Sequence, residues 1–238
     1  MFAQPRRRAA RALAGVALLT VQSAVLAGCG SSSHGNGVAS KPPLRILAAA
    51  QAAADAATSV HVVGSIEGTR AHESFDIEIL AGKGTHGIVT VGGASFGLIE
   101  TAGTVYVKGD AAFYERIGGV EAARRLVGKW LKAPVTDPKL QPLLRLTDLH
   151  SLISVSLAGH AGLVSAGTSV VGGVHVVGVR DAAKGETVYV ATNGPPYPVE
   201  IAKSGLGGGT ITLTRWNAPV VLLAPVPAID ISALQPHG

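Results

Sequence analysis

Residues 72–80 read His-Glu-Ser-Phe-Asp-Ile-Glu-Ile-Leu, and they carry the clearest structural signal in the 238-residue chain. Apolar side chains at positions 75, 77 and 79 alternate with polar side chains at positions 74, 76 and 78. A period of two residues is typical of a β-strand with one buried face and one face in water. The stretch therefore predicts a strand that buries Phe75, Ile77 and Ile79.

Comparable alternation precedes and follows this strand. Further strands are predicted at residues 60–66, 85–91, 96–101 and 104–108. The separators are short and rich in glycine, as at Gly92-Gly93, and such turns favour an antiparallel meander. No helical pattern lies between these strands, which argues against parallel βαβ units.

The rest of the chain adds helices and a second group of strands. Helices are predicted at residues 44–58, at 110–126 with a break at Gly118-Gly119, and at 138–153. The second group of strands is predicted at 129–132, 168–179, 187–192, 199–203 and 210–216, and the proline-rich tail 218–234 is predicted to follow an edge. This order of helix, strands, helices and strands is typical of the α+β class.

The first thirty residues carry a different signal. Arginines at positions 6, 7, 8 and 11 precede an uncharged apolar stretch, residues 12–27, which is the pattern of a secretory signal. Leu26-Ala27-Gly28-Cys29 then resembles the lipobox of bacterial lipoproteins, in which cleavage before the cysteine precedes its acylation. A retained membrane helix and a buried free cysteine are the alternatives, although residues 12–28 barely reach the ~17–25 residues of a span.

This interpretation divides the chain into three parts. Residues 1–28 are predicted to be a lipoprotein signal peptide, residues 29–43 the lipidated Cys29 with a flexible tether, and residues 44–238 the folded domain. The expected location is the extracytoplasmic face of the cell membrane, with acyl chains on Cys29 as the anchor.

The charged residues are distributed unevenly between the predicted signal peptide and the rest of the chain. The formal net charge is +5, but residues 1–28 contain four arginines and no acidic residue, so 16 basic and 15 acidic side chains remain after them. Arg124-Arg125 is the one adjacent basic pair in that remainder, so nucleic acid is not expected as a partner. A single cysteine excludes an internal disulfide and a cysteine zinc site.

Three short motifs point to a known family. They are Tyr106-Val107-Lys108-Gly109, Gly128-Lys129-Trp130-Leu131 and Trp216-Asn217-Ala218-Pro219-Val220. Their order and spacing, together with the lipobox, resemble the actinobacterial LppX/LprA/LprF/LprG lipoproteins, over nearly all of residues 44–230. The resemblance implies a LolA-like fold, which is a strongly bent antiparallel half-barrel sheet with helices on the concave face. It also implies an apolar cavity that holds the acyl chains of a lipid or lipidated glycan, as in a carrier or chaperone.

The residues themselves are compatible with that cavity. One parity of the predicted strands is aliphatic or aromatic, and the helical stretch 138–153 has an apolar face that could cover it. The expected lining is Val62, Ile66, Phe75, Ile77, Ile79, Val105, Val107, Val188, Val190, Val199, Ile201, Ile211 and Leu213 from the strands, with Leu143, Leu146, Leu149 and Ile153 from the helix. The alternative is a plainly packed core made of the same residues.

Catalytic motifs are weak. Gly93-Ala94-Ser95-Phe96-Gly97 matches the G-x-S-x-G pattern, but a strand follows it where a nucleophile elbow needs a helix. The glycines at 205–209 also run into a strand, and no histidine pair has metal-ligand spacing. We therefore expect no enzyme, no cofactor and no metal. The expected partners are the membrane, a lipid or glycolipid ligand and an unidentified envelope transporter. An envelope protein-interaction or sensor module with the same fold and no transported lipid is the alternative function.

Overall fold

The structure is a computed structural model, and it describes residues 35–68, 71–138, 140, 162–205 and 207–234. The predicted signal peptide, Cys29 and the four predicted helical lining residues lie outside this part of the chain; those four are Leu143, Leu146, Leu149 and Ile153. The predictions made for them therefore stay predictions.

Five consecutive strands form the expected meander. These are β1 (Ser59–Glu67), β2 (His72–Leu80), β3 (Gly84–Val91), β4 (Ala94–Thr101) and β5 (Thr104–Gly109). Each pairs antiparallel with the next, and Phe75, Ile77 and Ile79 of β2 are buried on one face, as the alternation predicted.

Two helices and seven more strands make up the remaining regular structure of the described residues. The helices are α1 (Pro43–Asp55) and α2 (Ala111–Leu126), with single 3₁₀ turns at Val38–Ser40 and Ile231–Leu234. The strands are β6 (Trp130–Pro134), β7 (Leu163–Val171), β8 (Val174–Asp181), β9 (Glu186–Ala191), β10 (Pro198–Lys203), β11 (Gly209–Thr214) and β12 (Ala228–Asp230).

The twelve strands found in the described part of the chain belong to one open sheet in the order β12-β6-β5-β4-β3-β2-β1-β11-β10-β9-β8-β7. Neighbouring strands are antiparallel except β12, which pairs parallel with β6. The sheet does not close, because β7 and β12 lie at its two ends. These features confirm the predicted α+β class and the antiparallel sheet, and β12 confirms that the tail follows an edge.

The buried face of this sheet, which we call the inner face, holds the main core. Its side chains form one cluster with Ile46, Leu47 and Ala50 of α1, which are spaced so that they share one side of that helix. Helix α1 contacts strands β7 to β10, so it covers the inner face at that end of the sheet.

Helix α2 begins and bends as its sequence predicts. The Asp110 carboxylate accepts a hydrogen bond from the Phe113 N–H at 2.7 Å, which caps the first turn. Gly119 has φ 75° and ψ −177°, so the helix is divided there into two halves. The Phe113 ring packs against Phe96 of the inner face, with ring centroids 4.9 Å apart, and this contact places the first half of α2 over β4 and β5.

One strand prediction was wrong. Residues 168–179 are not one strand, because they contain the end of β7, a turn and most of β8. Gly172 and Gly173 have φ 54° and 82°, the left-handed values that a two-residue hairpin turn requires at both positions. The apolar residues on both sides of this glycine pair hid the turn.

The segment before α1 also differs from expectation, since part of the predicted tether is packed on the sheet. The Asn36 side chain donates hydrogen bonds to the carbonyl oxygens of Ala191 (3.0 Å) and Gly194 (2.9 Å). Val38 is buried in the main core. Contact with the folded domain therefore begins at least eight residues before the predicted boundary at residue 44.

Candidate functional site

The structure brings most of the predicted lining residues together on the inner face. Ten of them are buried in the main cluster: Val62, Phe75, Ile77, Ile79, Val105, Val107, Val188, Val190, Ile201 and Leu213. Ile66 and Ile211 are partly buried and pack against the same cluster. The alternation of the strands thus identified a single continuous apolar surface.

Besides Val60 of β1, five inner-face strand residues of the main cluster were left out of the predicted lining. They are Val89, Phe96, Leu98, Val177 and Val179. The first three lie on strands that were predicted with nearly correct bounds, and the parity of β3 and β4 would have found them. The last two lie on β8, whose pairing is fixed by the hairpin turn at Gly172-Gly173.

Val199 is a correction to the predicted lining. The ladder between β9 and β10 shifts register between Pro198 and Glu200, which is a β-bulge. An extra residue in one strand turns the side chains on one side of it to the opposite face. Val199 therefore packs with Val176 and Ala191 in a small separate cluster instead of the main inner-face core.

Within the described ranges, the main contacts of the two helices lie on either side of the middle of the inner face. Helix α1 contacts β7–β10 and the first part of α2 contacts β4 and β5, so strands β11, β1, β2 and β3 lie between these contacts. Four strands at about 4.8 Å spacing span about 19 Å. Leu213, Val62 and Ile77 in this interval are only 3%, 1% and 1% exposed, so the surface is shielded from water.

A polar corner closes one end of the inner face. The Tyr197 and Trp216 rings stack with centroids 4.6 Å apart and planes 5° apart, and Trp216 packs against the main cluster. Asn217 donates a hydrogen bond to the Tyr197 hydroxyl at 2.6 Å, and the Ser59 hydroxyl donates to the Ala218 carbonyl at 2.6 Å. The Trp216-Asn217-Ala218 motif thus joins the ends of β1 and β11 to the segment before β10.

The opposite face of the sheet, the outer face, carries an open groove of about 750 Å³. Gly97 of β4 lies between Ile88 and Lys108 on the neighbouring strands, and the Trp130 ring reaches to within 3.6 Å of where a Cβ of residue 97 would be. The missing side chain of Gly97 therefore makes room for the Trp130 ring.

The charged groups beside this groove are paired within the protein. His61 Nε2 lies 2.7 Å from Asp76 Oδ1, while Glu78 contacts both Arg215 and His86. The Lys108 ammonium lies 5.2 Å from the centre of the Trp130 ring, within the range of a cation–π interaction. Each of these charged groups has a partner within the protein, so we do not choose the groove as the functional site.

The residues of the weak catalytic motifs have structural roles. Ser95 is a residue of β4, and its hydroxyl accepts a hydrogen bond from the Thr90 hydroxyl at 3.1 Å. Its N–H donates to Asp110 Oδ2 at 2.9 Å, which links β4 to the start of α2. The glycines near 205–209 join β10 to β11. These positions are explained by turns and strand pairing.

The described part of the chain shows neither a group of metal ligands nor a membrane-spanning helix. Among the described residues, no three His, Cys, Asp or Glu side chains are grouped as metal ligands would be. No helix within the described ranges is both long and apolar enough to cross a bilayer.

An open antiparallel half-barrel with helices on its inner face is the LolA-like architecture. Two crystal structures share it with this chain. LprF from Mycobacterium bovis has 19% sequence identity and a TM-score of 0.52, over 77% of this chain and 96% of that one. The lipoprotein LppX from Mycobacterium tuberculosis has 19% identity and a TM-score of 0.50, over 76% of this chain and 97% of that one.

These two proteins are named members of the family that the sequence motifs indicated, and at this level of identity the likeness establishes the fold. No protein-family model matches the chain, and no curated protein matches it. The fold class was thus predicted correctly from the alternation, the order of elements and three short motifs.

Proposed function

We propose that this protein is a membrane-anchored envelope lipoprotein that binds the acyl chains of a lipid or lipidated glycan on its inner face, as a carrier or chaperone. The observation that carries the proposal is the water-shielded aliphatic surface of β11, β1, β2 and β3 between the contacts of α1 and α2. The LolA-like fold and the lipobox at Cys29 support the same function.

The chemistry required is burial of hydrocarbon. Each methylene group transferred from water to an apolar surface contributes about 0.8 kcal/mol, so an acyl chain supplies affinity without a cofactor or a catalytic step. An interval of about 19 Å is comparable to the length of an extended long acyl chain. The aliphatic inner face can therefore hold a chain through its area alone, once the chain takes the place of the protein atoms that bury it in the structure.

The binding experiment uses the full chain purified from membranes and transferred from detergent to an amphipathic polymer. Bound lipids are extracted and identified by mass spectrometry, and uptake of a fluorescent acyl lipid is followed in parallel, with the denatured chain as background. We expect bound lipid in an about equimolar amount. Protein that is reproducibly free of lipid and takes up no fluorescent lipid would favour the interaction or sensor module instead.

Two isoleucines provide a matched pair of variants. Ile211→Trp enlarges a partly buried inner-face residue, whereas Ile88→Trp enlarges a residue that is 58% exposed on the outer face. Both residues lie on strands, and both changes add the same volume. We expect Ile211→Trp to reduce lipid uptake several-fold and Ile88→Trp to leave it unchanged. Equal effects of the two changes would contradict an inner-face site.

The anchor needs its own test. Cells that express the full chain are labelled with a radioactive or alkyne-bearing fatty acid, and the protein is then isolated from the membrane fraction. The proposal expects incorporation of label that is lost in Cys29→Ser. Equal labelling of both proteins, or a wild-type chain without label, would exclude acylation at Cys29.

A further inference from the structure

The Trp216 indole N–H has no hydrogen-bond acceptor among the described residues, although the polar side chains around it are hydrogen-bonded. Its nitrogen is buried and forms no hydrogen bond with any residue that the structure describes. The ring around it is fixed on one side by the Tyr197 stack and on another by the main apolar cluster. A buried donor without an acceptor costs roughly 1–3 kcal/mol, so such a group calls for an explanation.

Neighbouring polar groups are already engaged with one another. The Asn217 side chain bonds both Thr58 and Tyr197, and the Ser59 hydroxyl bonds the Ala218 carbonyl. Arg215 turns to Glu78, which lines the groove of the outer face. Among the described side-chain donors of this corner, the indole N–H is the one that is buried without an acceptor.

We infer that the ligand of the inner face presents a neutral carbonyl oxygen, that of an ester- or amide-linked acyl chain, to the Trp216 N–H. The inference rests on the proposed lipid-binding function and narrows its ligand class. A carbonyl is favoured over a charged phosphate because Trp216 packs against an apolar cluster, where an unpaired anion is far more costly to bury than a neutral acceptor. Trp216 is thus a specificity-determining residue, which selects acylated lipids over pure hydrocarbons and alkyl ethers.

The test compares two phospholipids of equal chain length and identical headgroup, one with ester-linked and one with ether-linked chains. Their dissociation constants are measured with the full chain in amphipathic polymer, by displacement of a fluorescent acyl lipid. We expect the ester lipid to bind about tenfold more tightly, since its carbonyl oxygen is a stronger acceptor than the ether oxygen that replaces the ester group. Trp216→Phe, which keeps an aromatic ring but lacks the N–H, should reduce this preference to near unity.

Trp130→Phe is the matched control, because Trp130 lies on the outer face and is the other of the two tryptophans in the chain. It should keep the tenfold preference. Equal affinity for ester and ether lipids in the wild type would overturn the inference and leave the proposed function intact. Binding of neither lipid would overturn both.

A spectroscopic measurement covers the case in which Trp216→Phe does not fold. With ¹⁵N-labelled tryptophan, the two indole N–H resonances are assigned by means of Trp130→Phe. The Trp216 resonance should move downfield with the ester lipid and stay in place with the ether lipid. An unchanged resonance on saturation with the ester lipid would show that the N–H does not meet the ligand, and would overturn the inference.

Discussion

Asn217 and Thr58 are joined by two hydrogen bonds across the start of the sheet. The side-chain oxygen of Asn217 accepts one from the Thr58 N–H at 2.7 Å and one from the Thr58 hydroxyl at 3.1 Å. Asn217 also has φ 59°, a left-handed value that asparagine tolerates better than most residues. One residue therefore ties the end of β11 to the start of β1.

Asn217→Ala should lower the free energy of unfolding by about 1–3 kcal/mol, because the Thr58 donors and the Tyr197 hydroxyl lose their partner. Asn217→Gly suits the backbone angle, so it separates the loss of hydrogen bonds from backbone strain. Asn217→Asp keeps the acceptor for Thr58 and should be the mildest change. Urea unfolding measures the order of stability of the three variants. If Asn217→Gly leaves the free energy of unfolding unchanged, the hydrogen bonds contribute little.

Gly64 gives a second stability test. A Cβ at this position would lie 2.4 Å from Cζ of Phe75 and 3.2 Å from Cγ1 of Ile211, so the ring of Phe75 fills the space beside Gly64. We expect Gly64→Ala to destabilise the fold by about 1–3 kcal/mol through overpacking. Phe75→Leu in the same chain should restore part of that loss, and a double-mutant cycle by urea unfolding measures the coupling. If the effects of Gly64→Ala and Phe75→Leu on the free energy of unfolding are additive, the two residues are not in contact.

Strand alternation was enough to predict most of the fold and of the inner face, and two features show where it fails. Residues 163–181 are rich in valine, serine and glycine, so the propensity for strand continues through the turn at Gly172-Gly173. The hairpin is set by the φ values of those glycines, which are not encoded in an apolar pattern. Val199 was assigned to the wrong face because a bulge depends on the pairing of β9 with β10.

The hydrogen bonds of the candidate site could not be predicted from the sequence for a similar reason. The motif Trp216-Asn217-Ala218 was recognised by resemblance, but two pairs of hydrogen-bonded residues at this motif, Asn217 with Thr58 and Ala218 with Ser59, are 159 positions apart. Long-range pairs of this kind leave no period in a sequence. The alternation therefore predicted the aliphatic surface, and the structure was needed to find the donor at its end.

Arg116 links α2 to the sheet and offers a test of how lipid enters and leaves the protein. Its guanidinium donates hydrogen bonds to the carbonyl oxygens of Val91 (2.8 Å) and Gly92 (3.1 Å), at the turn between β3 and β4. If lipid enters when the first half of α2 moves, Arg116→Ala should speed the transfer of fluorescent lipid to vesicles several-fold. Arg124→Ala removes an exposed arginine from the second half and should leave the rate unchanged. A faster rate in both variants would point to a general loss of stability.

Tyr114 predicts how stability changes at alkaline pH. Burial raises the pKa of the Tyr114 hydroxyl above its usual value of 10.0, and the hydrogen bond from the Gly109 N–H opposes this in part. The hydroxyl also donates to the Lys129 carbonyl oxygen at 3.2 Å. Because the pKa is higher in the folded state, the neutral hydroxyl contributes its full stability below pH 10, and this contribution is lost as the pH rises through the folded-state pKa.

Tyr114→Phe should therefore cost about 1–2 kcal/mol at neutral pH, because the Gly109 N–H and the Lys129 carbonyl lose a shared partner. The difference between the two proteins should narrow above pH 10, since deprotonation then destabilises the wild type alone. Urea unfolding from pH 7 to 11 measures both curves. Tyr106→Phe controls for the other tyrosines. Tyr106 is less buried than Tyr114 and lies on the face of β5 that points away from the buried Val105 and Val107. A constant gap between wild type and Tyr114→Phe across this range would mean that Tyr114 ionises equally in the folded and unfolded chains.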